Sequence, residues 1–94
     1  MTNTKNLQDK ANGIVAKSTT AQLATMLLAT EQMRSNVERG SEAWQAYQRT
    51  FLWIADEIER RHEVNEAMEA WAADLDTEMT YAEALIAALP VSVL

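Results

Sequence analysis

Trp44, Tyr47, Phe51, Ile54 and Ile58 stand alternately three and four residues apart. That spacing lines them along one stripe of an α-helix, whereas on a strand it would scatter them over both faces. The stripe has to be covered by other helices. Five anchors fall short of the roughly three or four heptads that a free-standing coiled coil requires, so the stripe is read as the seam of a bundle. Ser41 is placed to cap this helix and Arg60, Arg61 and His62 to complement the negative end of its dipole, which sets a helix over about residues 42–62.

The same period recurs on both sides. Thr19 precedes Gln22 by three residues, the spacing of a capping box, and Leu23, Met26, Leu27 and Thr30 follow on one face with Met33 beside them. A helix over about 20–34 follows, stopped in the polar stretch that contains Gly40. Val64, Met68, Trp71, Ala72 and Leu75 make a third stripe, with a helix over about 64–73 and an acidic link at 74–78. Thr80 and Glu83 form a second capping box, opening a helix over about 80–89 that Pro90 ends. At the front, Leu7, Ala11, Ile14 and Val15 share a helical face, but Asn12 and Gly13 favour turns, so residues 1–17 are expected to be a polar arm or a short, frayed fifth helix. The expected fold is all-α: a compact bundle of four helices within a single domain at 18–90, followed by an apolar tail at 91–94 in extended form. Sixteen alanines allow close helix approach, and two glycines and one proline are too few for a barrel or sandwich.

Several chemistries lack their residues. With no cysteine there is no disulfide framework, thiol nucleophile or thiolate metal site. No run of about 18 apolar residues exists to span a membrane, and no apolar leader opens the chain, which makes the cytoplasm the expected compartment. His62-Glu63-Val64-Asn65-Glu66 begins like a zinc-protease motif but has Glu66 where the second histidine belongs. Glu59 and His62 have the spacing of a di-iron bundle without its other ligands. Asp74, Asp76 and Glu78 match the first ligands of a calcium loop, yet Met79 stands at the glycine position and Leu85 at the bidentate position. No glycine-rich phosphate cradle or nucleophile elbow is present. No enzyme activity, catalytic residue, metal or cofactor is therefore expected.

Charge is divided along the chain. Residues 1–55 hold six basic and four acidic groups, a balance of +2, whereas residues 56–94 hold ten acidic groups against Arg60 and Arg61, a balance of −8. The acidic half repels nucleic acid and attracts basic partners. Trp53 lies nearly opposite the seam, beside Ala46, Thr50 and Glu57, and tryptophan is enriched at interfaces. Trp53, Leu52, Thr50 and Glu57 are thus the candidate partner interface, and Glu63, Glu66, Glu69, Asp74, Asp76 and Glu78 the candidate acidic surface. Four methionines, Met26, Met33, Met68 and Met79, suit either core filling or an adaptable groove. The leading expectation is a small non-enzymatic adaptor, assembly factor or inhibitor that binds a protein, with a homodimer as one form. An acidic decoy for a nucleic-acid-binding protein is the second reading. A helix-turn-helix-like DNA binder reading bases through Gln45, Gln48 and Arg49 is the third, disfavoured by Glu42 near the phosphates and the absence of supporting lysines.

Overall fold

Local signals set the helix starts, and packing decides which helices hold. The computed structural model describes residues 13–94; the expectations placed on Leu7, Ala11 and Asn12 fall outside that range. Residues 13–17 form α1, followed by α2 (Thr20–Ser35), α3 (Glu42–Arg61), α4 (Asn65–Ala73), α5 (Tyr81–Ala87) and a 3₁₀ turn at Val91–Val93. The described residues are a small all-α bundle with no strand among them. Both capping boxes are formed: Thr19 accepts from the Gln22 amide and Thr80 from the Glu83 amide, while Gln22 and Glu83 reach back to the cap residues' own amides. Ser41 accepts from the Trp44 amide at 3.2 Å, and Gly40 takes a φ of +86°, which lets the chain leave the 36–40 loop and enter α3.

Helices α2 and α3 form an antiparallel hairpin. A hydrogen bond of 3.2 Å joins Thr20 Oγ1 to His62 Nε2 at one end, and Arg34 donates to Gln48 at the other. Leu23 and Leu27 of α2 meet Ile54 and Ile58 of α3 and Leu85 of α5, all fully buried. At about 1.5–3 kcal/mol for each large aliphatic side chain, these five dominate the favourable side of folding. Helix α5 covers one flank of the hairpin. Its N-terminus is held by Glu31, whose carboxylate accepts from Thr80 Oγ1 at 2.9 Å and from the Ala82 amide at 3.4 Å. Glu59 of α3 accepts from the Tyr81 hydroxyl at 2.7 Å. Helix α1 sits by the opposite flank, where Val15 joins the core. Helix α4 packs on the outer side of α5. The molecule measures 43 × 30 × 18 Å, so it is a slab roughly two helix diameters thick, at about 10 Å each.

Three local expectations are corrected. Helix α4 ends at Ala73, so the stripe through Val64, Met68 and Trp71 does not reach Leu75, which is 95% exposed. Asp74 accordingly accepts from the Asp76 amide at 3.0 Å and turns the chain away. Helix α5 ends at Ala87, three residues before Pro90. The tail is a 3₁₀ turn: the Val93 amide donates to the Pro90 carbonyl at 3.1 Å, which lays Val93 against the core.

Candidate functional site

The residues singled out from the sequence do not form one patch. Trp53 is half-buried and lines an open groove of about 400 Å³ between α1 and α3, with Val15, Ala16, Asp56, Glu57 and Arg60 as the other walls. Leu52 is 48% exposed but lies outside this groove; adjacent helical residues point about 100° apart, so a neighbour in sequence is not a neighbour on the surface. Thr50 is half-buried one turn before Trp53 and donates its hydroxyl to the Ala46 carbonyl at 3.0 Å.

Glu57 is an internal ion-pair residue. Only 9% exposed, it accepts from Arg60 and, at 2.7 Å, from the Arg61 Nε. The Arg60 hydrogen bond, with help from Arg61, holds its carboxyl below the usual range against the opposing effect of burial. Arg61 then spends its remaining donors on α1, giving hydrogen bonds to the carbonyls of Ser18 (2.7 Å), Ala16 (3.1 Å) and Val15 (3.2 Å). The carbonyls lie at and just past the end of α1, where helical donors run short (Val15 also accepts from the Ser18 amide at 3.3 Å), and a guanidinium with five N–H groups fits them well. Glu57 and Arg61 therefore position α1, and α1 supplies the second wall of the Trp53 groove. Val15, Ala16, Asp56 and Arg60 are not interface candidates on the sequence, which marks Val15 only as part of the front helical face and Arg60 only as a helix-end charge; the pairing of residues 15–16 with α3 is a long-range event with no local signal.

Gln45 and Gln48, the base-reading candidates, have internal partners: Gln45 Nε2 donates to the Gly40 carbonyl at 3.1 Å, and Gln48 accepts from Arg34, whose guanidinium also lies 4.5 Å from the centre of the Phe51 ring. Met26 and Met68 pack against the core, while Met33 and Met79 are exposed.

The acidic candidates Glu63, Glu66, Glu69, Asp74, Asp76 and Glu78 are all exposed. Among the described residues, ion pairs occur only at Glu57. Helix α4 buries none of its residues and shares with α5 a second groove of about 310 Å³, lined by alanines from both helices together with Trp71, Asp74, Thr77 and Met79. Trp71 is fixed there: its Nε1 donates to the Met79 carbonyl at 2.8 Å, and its ring meets Tyr81 edge-on at 5.7 Å. Burial, followed by the Glu59 hydrogen bond, pushes the Tyr81 hydroxyl well above its ordinary range. Its role is that of a junction, since the same ring packs on Phe51 at 5.9 Å. Among the described residues, no three histidine, aspartate or glutamate side chains converge to hold a metal ion, and no helix is long and apolar enough to cross a membrane. No protein-family model matches the chain, and no curated protein or solved structure shows significant similarity to it.

Proposed function

We propose that the protein is a non-enzymatic interaction module that pairs with a second copy of itself through the α1–α3 groove. The observation that carries this reading is the groove's composition: one half-buried tryptophan over an apolar floor of Val15 and Ala16, with Asp56 and Arg60 of opposite charge at its edge. A tryptophan in such a setting is the usual centre of an interface. A surface bearing both signs of charge is complementary to itself under a two-fold axis, which sets Asp56 of one copy against Arg60 of the other. The Arg60 side chain is 72% exposed, so its bond to Glu57 leaves donors facing outward. In this reading Trp53 supplies apolar contact, Asp56 and Arg60 set register, and Glu57 with Arg61 holds α1 in place.

Sedimentation velocity over a concentration series tests it. The native chain is expected to dimerise and Trp53→Ala to weaken the dimer by about tenfold or more, the scale of a hot-spot truncation. Asp56→Arg and Arg60→Asp should each weaken association, and the double exchange should restore it. A chain that stays monomeric at every concentration, or a dimer indifferent to all four variants, refutes the reading.

A further inference from the structure

We infer that the α4–α5 groove is a docking site for a basic amphipathic helix of a partner protein. This surface is separate from the Trp53 groove and does not depend on it. Three observations define the occupant. The groove is apolar and walled by methyl groups: Ala67 and Ala70 of α4 face Ala84 and Ala87 of α5, with Trp71 and Met79 closing one end. Side chains this short let another helix axis come close, and a slot of about 310 Å³ accepts one or two aliphatic side chains, the anchors by which a helix lies in a groove. The exposed side of α4 continues into a shallow depression in which Glu63 and Glu66 stand beside Ala67 and Ala70.

Charge selects the partner. After Arg61 the chain holds seven carboxylates and no lysine or arginine. Among the described residues, none of those seven is in an ion pair. Asp74 at the slot and Glu63 and Glu66 in the depression that adjoins it across Ala67 and Ala70 thus give the slot an acidic rim on the α4 side. A nucleic acid or an anionic membrane is repelled by that rim, whereas a helix with leucines on one face and lysines or arginines flanking them satisfies slot and rim together.

The probe is a synthetic helical peptide of leucine and lysine in amphipathic order, titrated into the full chain with calorimetry as the readout and the change in total tryptophan emission beside it. A peptide of the same composition in scrambled order and a leucine–glutamate analogue serve as controls. The amphipathic cationic peptide is expected to bind at least tenfold more tightly than either control. Added salt should weaken that binding without abolishing it, because the apolar part is not screened. Ala70→Lys, which fills the slot at an exposed position and adds a charge of the wrong sign, should weaken it at least tenfold, while Trp53→Ala leaves it unchanged. Equal binding of the scrambled peptide reduces the surface to general charge attraction and overturns the inference, as does an Ala70→Lys chain that binds normally. Loss of self-association in Ala70→Lys with no peptide binding by the native chain assigns the slot to a second copy and overturns it equally. Since Trp53→Ala affects only the dimer and Ala70→Lys only the peptide, the two readings fail separately.

Discussion

Helices α3 and α4 show two ways in which this chain uses apolar side chains. Helix α3 has 20 residues, a serine cap, Glu42 in its first turn and arginines in its last, and it buries Phe51, Ile54, Ala55 and Ile58. Helix α4 has 9 residues, no side-chain cap and no buried residue. An isolated helix of that length is marginal in water. It persists here on alanine propensity, Met68 against the core, and the Trp71 contacts with Tyr81 and Met79. Helix α3 spends its apolar surface on the fold, while α4 leaves its alanine face outside. Of the two helices, the one that buries less in the fold thus leaves more of its apolar face available for contact.

The contrast is sharpest in the core. Ile54→Ala should cost about 2–5 kcal/mol, the range for a fully buried large-to-small change, and chemical denaturation would show it as a lower midpoint at unchanged slope. A near-neutral result would mean that the α2–α3 hairpin is not the centre of stability. Arg61→Ala comes next. It removes the guanidinium bonds to the carbonyls of Val15, Ala16 and Ser18 and one of the two arginines that pair with the buried Glu57, with an expected loss of about 1–3 kcal/mol. Amide exchange should quicken around residues 13–18 and remain slow in α2. The same pair sets an acid limb. The folded pKa of Glu57 lies below its ordinary value of 4.5, so its contribution is whole above that value and fades as pH falls below it. Glu57→Gln should flatten the stability profile in that window. Thr80→Ala removes both a cap and a donor to Glu31 and should cost about 1 kcal/mol. Leu75→Ser should stay within about 0.5 kcal/mol, since a side chain 95% exposed has little to lose. A larger drop in thermal melting for Leu75→Ser would erase the distinction between the two regions.

Much of the architecture was legible from side-chain spacing because α2, α3 and α5 each announce their start with a capping residue and then repeat one period. Helix α4 was harder to read for a physical reason. Its stripe was carried through to Leu75, but a period has meaning only while the helix lasts, and α4 ends at Ala73. Trp53 was legible as an aromatic residue out of phase with the seam. The groove around it was not, since Val15 and Ala16 approach α3 from more than 35 positions away along the chain. Leu52, a candidate because it widens the apolar belt at the seam edge, lies outside the Trp53 groove, since adjacent side chains on a helix point about 100° apart. Glu57 is legible as a neighbour of Trp53 on the helical wheel, but its burial is not: the pairing with Arg60 and Arg61, at i+3 and i+4, is also the usual pattern of a solvated helix face, and the Arg61 bonds to residues 15, 16 and 18 carry no local signal.

The guanidinium of Arg61 reaches back 43 to 46 positions to take the carbonyls of α1. These bonds therefore join α1 to a residue that lies beyond the whole of α2 and nearly all of α3 in the chain. Loop closure over that distance follows the local pairing of α2 with α3, so α1 receives this support after the hairpin has formed.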